Sequence, residues 1–269
     1  MARGGMARRK FIRRIAAPLA AAGIIVFCVA QVSAAPAPSA PPTAHTGGAT
    51  GVSLHTATLH GTVNPNGAET TYYFRYGRTP PLTKTTPVKS AGDGTAEVAV
   101  AASVDGLSWG RTYQYRLIAE NPEGLAAGAT REFQTQEPRV GGRYVVRLRV
   151  KSGGAAFGEH RGQRVRRTYR LKPRNCGGAA CGVLRMNREG KRGHFRDRLK
   201  HRSRGVFAGS DGFRGWCDDG LRFRSNAKTR LEVRRVSGGR ATALAGSLRV
   251  RANGCVHGGE RAKLKARAK

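Results

Sequence analysis

Carboxylates are scarce in this 269-residue chain, where 16 Asp and Glu stand against 49 Lys and Arg and leave a formal net charge of +33. That imbalance excludes a charge-balanced enzyme of ordinary type and points to a protein that works among anions or is exported through them. Aromatic residues are also few, at 7%. The arginines are not interleaved with exposed aromatics, so nucleic acid is the weaker target for the charge. Catalytic signatures are thin: there is no H-E-x-x-H, no G-x-x-x-x-G-K-S/T and no acid pair with a plausible cleft. Asp218 and Asp219 are adjacent beside Gly220 and read as turn formers, and Glu159 and His160 lie in a glycine-rich loop that reads as surface. No metal or cofactor is implied. What is abundant is glycine, 37 residues, alongside 39% apolar residues. This mixture suits short strands and many turns, with enough core material to exclude wholesale disorder.

The charge falls into three blocks. Residues 1–34 carry six basic residues and no acid, residues 35–137 seven basic and eight acidic, and residues 138–269 36 basic and eight acidic, giving nets of +6, −1 and +28. Two modules of opposite electrostatic character are implied, and only the second explains the global number.

Arg8, Arg9, Lys10, Arg13 and Arg14 precede an uncharged run from Ile15 to Ala35, and Val32-Ser33-Ala34 supplies a small-residue cleavage site. Residues 1–34 therefore read as a secretory signal. Arg8-Arg9-Lys10-Phe11-Ile12-Arg13 resembles the twin-arginine export pattern. An uncleaved anchor is the alternative, and Pro18, Gln31 and the alanines weigh against it. Both readings send the rest of the chain outward. Residues 35–42 form a Pro/Ala linker.

Residues 43–137 alternate with period two. Ala57, Leu59, Gly61 and Val63 are followed by the turn Asn64-Pro65-Asn66-Gly67; Tyr72, Phe74 and Tyr76 follow, then Val98 and Val100, Tyr113, Tyr115 and Leu117, and finally Phe133. About seven short strands with turn chemistry between them predict an antiparallel sandwich. The tyrosines read as core rather than as a sugar-stacking face. His55 and His60, taken as opposite faces of one strand, do not share a metal.

On Ala57-Thr58-Leu59-His60-Gly61-Thr62-Val63-Asn64-Pro65-Asn66-Gly67, Tyr72-Tyr73-Phe74-Arg75-Tyr76-Gly77 and Leu107-Ser108-Trp109-Gly110-Arg111-Thr112-Tyr113-Gln114-Tyr115-Arg116-Leu117, this region resembles a bacterial fibronectin type III domain. It departs from the animal pattern in having Leu59 rather than Trp in the second strand. The resemblance implies a sandwich with Tyr113 as its corner tyrosine, and a role as spacer or protein contact without catalysis. No Arg-Gly-Asp occurs to support integrin-like recognition.

Residues 138–257 keep the period, with arginine on the outward face. Tyr144, Val146, Leu148 and Val150 oppose Arg143, Arg147, Arg149 and Lys151; Val165, Tyr169 and Leu171 oppose Arg164, Arg166, Arg170 and Lys172. Leu221 and Phe223 oppose Arg222 and Arg224, Leu231 and Val233 oppose Arg230, Glu232 and Arg234, and Leu244, Leu248 and Val250 oppose Arg249 and Arg251. Shorter strands at 183–186, 194–200 and 206–208, with turns at Asp211-Gly212 and Asp219-Gly220, complete an up-and-down meander or barrel of about eight strands. Residues 258–269 read as a disordered basic tail. The fold class is thus all-β, a fibronectin type III-like β-sandwich followed by a second antiparallel β module. Within it Arg147, Arg149, Arg166, Arg170, Arg222, Arg224, Arg234, Arg249 and Arg251 are the candidate anion-binding residues, with anionic cell-wall or lipid polymers as partners.

Cys176, Cys181, Cys217 and Cys255 make an even count in an exported chain and read as disulfides, of which four cysteines allow three pairings. The flexible Gly177-Gly178-Ala179-Ala180 favours Cys176–Cys181, leaving Cys217–Cys255; zinc held with His257 is the alternative. The functional expectation is a non-enzymatic, secreted or envelope-associated binding or adhesion protein. A secreted hydrolase with an unrecognised site in the second module is the alternative.

Overall fold

A computed structural model describes residues 39–152, 160–178, 180–189, 196–216, 222–253 and 260–269. Among them every regular element is a strand. The first nine are β1 (Thr43–Thr46), β2 (Ala57–Asn64), β3 (Thr70–Gly77), β4 (Lys84–Thr85), β5 (Lys89–Gly92), β6 (Val98–Val104), β7 (Thr112–Asn121), β8 (Gly124–Ala127) and β9 (Arg131–Gln134). They form two antiparallel sheets. One has the order β1-β2-β6; the other has β4-β3-β7-β8, with β5 also on β3 and β9 also on β7.

Alternation gives each sheet an apolar face, and the two faces meet in one core built on Leu59, Val63, Phe74, Val100, Tyr115 and Leu117. Tyr72, Tyr76 and Tyr113 are buried in the same cluster, so the tyrosines are core. The backbone N–H of Ser108 donates to the Tyr113 hydroxyl at 2.9 Å, five residues upstream in the chain, which is the corner contact. The two histidines differ from expectation: His60 lies in β2, but His55 precedes that strand, with its Nδ1 held 2.7 Å from the Leu107 carbonyl.

The second module is a closed barrel of β10 (Gly142–Ser152), β11 (Arg164–Gly177), β12 (Ala180–Glu189), β13 (Arg196–Ser203), β14 (Val206–Trp216), β15 (Arg222–Ser237), β16 (Arg240–Asn253) and β17 (Glu260–Ala268), in chain order. Alternate residues fill the interior: Tyr144, Leu148, Leu184, Leu199, Phe207 and Leu231 belong to one buried cluster. Two inward positions are glycine because the backbone of the neighbouring strand comes too close for a side chain. A Cβ on Gly209 would collide with the Arg198 carbonyl, and one on Gly246 with the Arg230 carbonyl.

Three expectations are corrected. Residues 260–268 are no tail but the strand that closes the barrel, pairing with both β10 and β16 through Ala262, Leu264 and Ala266 on its buried face. Asp211-Gly212 is not a turn: both residues continue β14, opposite Ala227 and Asn226. The stretches around 222–224 and 231–234 are one long strand, whose hairpin to β16 turns at Gly238-Gly239, both with positive φ (54° and 74°). The expected turn at Asp219-Gly220 lies outside the described residues.

The modules meet around Trp109. Its ring packs against the barrel core and under the Arg204 guanidinium at 3.9 Å, while Arg204 Nε donates to the Trp109 carbonyl at 2.8 Å. The Glu137 carboxylate accepts the Gly205 N–H at 2.8 Å and stands 3.1 Å from His201 Nε2. Burial holds the Arg204 guanidinium below its ordinary pKa, and the neighbouring Arg111 adds to the shift.

Candidate anion-binding surface

Antiparallel pairing sets which outward cations face one another, and the register lines them up in rows. Arg166 faces Arg147, which faces Lys265; Arg164 faces Arg149, which faces Lys263. On the adjoining wall Lys172 faces Arg185, which faces Arg198. Farther round, Lys228 faces Arg249, which faces Arg261. All twelve side chains in these four rungs are exposed, and no rung contains a carboxylate. Directly opposed residues have Cβ atoms about 4.5–5.5 Å apart, and like charges at that separation destabilise a sheet.

Three clefts lie between these side chains. The largest, about 990 Å³, runs over β17, β10 and β11 and is lined by Arg147, Arg149, Arg164, Arg166, Lys263 and Lys265, with Val145 among its apolar lining. A second of about 410 Å³ is lined by Lys172, Arg174, Arg185 and Arg198 together with Asn187 and the buried Asp197. A third of about 270 Å³ lies between Asn226, Lys228, Arg249 and Arg251. The arrangement is the reverse of a membrane-spanning barrel, whose outward band is apolar.

The nine arginines picked out by sequence divide accordingly. Arg147, Arg149 and Arg166 line the first cleft, and Arg249 and Arg251 the third. Arg170 shares Glu189 with Arg143, at 3.3 and 3.1 Å, and Arg234 is paired to Glu232 at 3.0 Å, so these two are partly neutralised. Arg224 is exposed opposite Arg214 on β14, and the side chain of Arg222 lies outside the described residues. Sequence reasoning passed over Lys263, Lys265 and Arg267 by assigning them to a tail, over Lys172 and Lys228 by looking only for arginine, and over Arg185 and Arg198, which lie in the shorter strands it placed without reading their outward faces. In the first case the signal was present as unbroken alternation of a cation with a small or apolar residue.

Cys176 and Cys181 are directly opposed across the β11–β12 hairpin and are disulfide-bonded. That bond takes both from any zinc set. Cys217, Cys255 and His257 lie outside the described residues.

Catalytic geometry is not gathered on the described surface. A G-x-S-x-G spacing does occur, at Gly106-Leu107-Ser108-Trp109-Gly110, and the sequence reading overlooked it. A nucleophile elbow joins a strand to a helix. Here Ser108 leads into strand β7, and its backbone is spent on the Tyr113 hydroxyl and on Thr135, whose Oγ1 donates to the Ser108 carbonyl at 2.8 Å. Inside the barrel, Asp197 is buried and accepts the Thr229 hydroxyl at 2.7 Å. Burial raises its pKa; the Thr229 hydrogen bond opposes that shift and nearby Asp211 adds to it. A hydroxyl partner of this kind stabilises an inward carboxylate without making it a nucleophile.

No family model and no curated protein matches the chain. Among solved structures, two forms of the sensor domain of the anti-sigma factor RsgI4 from Pseudobacteroides cellulosolvens align. The shorter has 20% identity over 36% of this chain and 95% of its own, with a TM-score of 0.30. The longer has 18% identity over 34% and 86%, with a TM-score of 0.25. A Bacteroides ovatus protein of unknown function aligns over 87% of this chain and 93% of its own, at 7% identity and a TM-score of 0.22. Scores this low transfer neither fold nor function, and the surface stands on its own geometry.

Proposed function

We propose that this chain is an exported, non-enzymatic binding protein of the bacterial envelope, in which the barrel holds an anionic envelope polymer. The sandwich, read as a fibronectin type III-type domain, spaces the barrel or contacts a second protein. One observation carries the reading: four rungs of three directly opposed cations, without an acid among them. A surface arginine whose only task is solubility is placed as well beside a carboxylate as beside another cation. Repeated cation-on-cation pairing costs stability, and a polyanion that bridges each rung removes the cost on binding.

The electrostatic contrast with the sandwich argues the same way. Residues 35–137 are net −1 within the same chain, so the cations follow the module rather than a chain-wide preference for arginine. The Cys176–Cys181 bond and the N-terminal signal pattern favour an oxidising, exported setting. A binding assay on isolated cell envelopes across a salt series tests the proposal. Binding should fall linearly on a log–log plot as salt rises. Adsorption indifferent to salt would remove the electrostatic reading.

A further inference from the structure

The closing strand carries more than its share of the charge. Arg261, Lys263, Lys265, Arg267 and Lys269 are all exposed and occupy alternate outward positions along β17 and its end. The row stays paired to β10 as far as its last member, where the Lys269 N–H still donates to the Arg143 carbonyl at 2.9 Å. Alternate residues of a strand recur every 6.6–6.8 Å or so, and five of them span about 27 Å. The flanks of this row differ. On the β10 side Lys265 and Lys263 face Arg147 and Arg149; on the β16 side Arg267, Lys265 and Lys263 face Ala243, Ala245 and Ser247. Along the middle of the row one flank is thus cationic and the other is a strip of small neutral side chains over which a chain can approach, the strip ending where Arg249 faces Arg261.

Resting on the reading above that the barrel binds an anionic polymer, we infer that the polymer is an extended, base-free phosphodiester chain lying along β17, with one phosphate per alternate residue. A single-file row of cations at this spacing matches a polymer with one negative charge per repeat of similar length. Inorganic polyphosphate crowds its charges more closely and would meet the row out of step. Phosphate suits the row because Arg can grip it with two N–H groups while Lys serves it as a point charge. Nucleic acid would offer a similar backbone but needs aromatic platforms for its bases. Among the described residues, the barrel rings Tyr144, Tyr169 and Phe207 are buried and not available for that.

The test is titration of the full-length protein with glycerol-phosphate oligomers of increasing length at several salt concentrations. Affinity should climb with each added phosphate up to about five and then flatten, with a log–log salt slope near −3.5, using about −0.7 per contact for a single-stranded polyanion. Lys265→Gln should reduce that slope by ~0.7, and by more than Arg198→Gln does in the rung on β11, β12 and β13. Lys265→Gln removes a repulsion with Arg147, so an undiminished unfolding midpoint shows that the fold is intact. A plateau at two or three phosphates, or an equal loss from Arg198→Gln, overturns alignment along β17 and leaves the broader binding reading standing. Tighter binding of a single-stranded oligonucleotide of equal charge overturns the base-free assignment. Failure of every anionic polymer to bind at low salt removes the parent reading as well.

Discussion

Reversing one charge at the centre of a rung should make the protein more stable and less able to bind. Arg147 is the residue to change, because it faces Arg166 on one side and Lys265 on the other. In Arg147→Glu both neighbours become opposite charges. A cross-strand charge pair contributes about 0.2–1 kcal/mol, with the sign set by the charges, so each of the two pairs swings by about 0.4–2 kcal/mol. All three side chains are exposed, and exposed pairs sit at the low end of their range, which leaves a net gain of ~1 kcal/mol at low salt. In a unit of this size that is a rise of about 2–4 °C in Tm. Urea unfolding of both proteins at ionic strengths of about 0.01 M and 1 M is the assay. The Debye length falls from about 30 Å to about 3 Å between them, so the difference should be present at the first and largely gone at the second. A variant less stable than the parent at low salt, or a gain that persists at high salt, would refute the claim that the rungs are electrostatically strained. The same variant should bind envelope polymer more weakly, with a shallower salt slope.

Other outcomes follow from the interior. Gly246→Ala places a Cβ against the Arg230 carbonyl, a backbone atom that cannot swing aside, so chemical denaturation should show a loss of about 3 kcal/mol. Gly94→Ala, which meets nothing within 4 Å, should stay within ~0.5 kcal/mol. Asp197 has a folded pKa above its unfolded 3.8, so the folded state holds the proton more tightly. Stability from this group is full below the unfolded pKa and is lost as pH rises through the folded one. Asp197→Asn should therefore stabilise the barrel at neutral pH, and the gain should vanish in acid; a gain independent of pH would assign the effect to packing. Replacing Cys176 and Cys181 with Ser should cost ~2 kcal/mol for a six-residue loop. Unreduced exported protein should contain no free thiol by mass spectrometry, since Cys217 and Cys255 are expected to pair; finding both of these thiols free sinks that second bond.

Alternation made most of this fold legible in sequence, because a strand with one buried face must repeat every second residue. Tyr144, Val146, Leu148 and Val150 declare their face through size alone. The strand over 260–268 did not, because its inward set is Ala262, Leu264 and Ala266, and alanine has little preference for strands. What hides it locally is explained by its place: it is held by the preceding strand β16 on one side and on the other by β10, which lies far away in the chain. Asp211-Gly212 has turn chemistry yet sits inside β14, where the long partner strand β15 extends the ladder through it. The outward cations could be named from sequence, but the rungs could not. A slip of register by a single residue would turn each cation inward and erase every facing pair, and register is a property of the assembled sheet. Trp109 likewise reads as part of the sandwich, and only the assembled chain shows it against the barrel.

The closing role of β17 has a consequence for how the molecule reaches its fold. β10 pairs with a strand more than a hundred residues later, so loop-closure entropy is met before that contact rewards it, and the barrel must be slow to seal. Until it does, β10 and β17 each present an unpaired edge, the feature by which sheets recruit other chains. Along β10 that edge is flanked by Arg147, Arg149 and Lys151, and along β17 by Lys263, Lys265 and Arg267. Two half-closed copies approaching edge to edge would bring these cations together and repel. The charges that stand in rungs on the finished protein thus guard each nascent chain from its own kind.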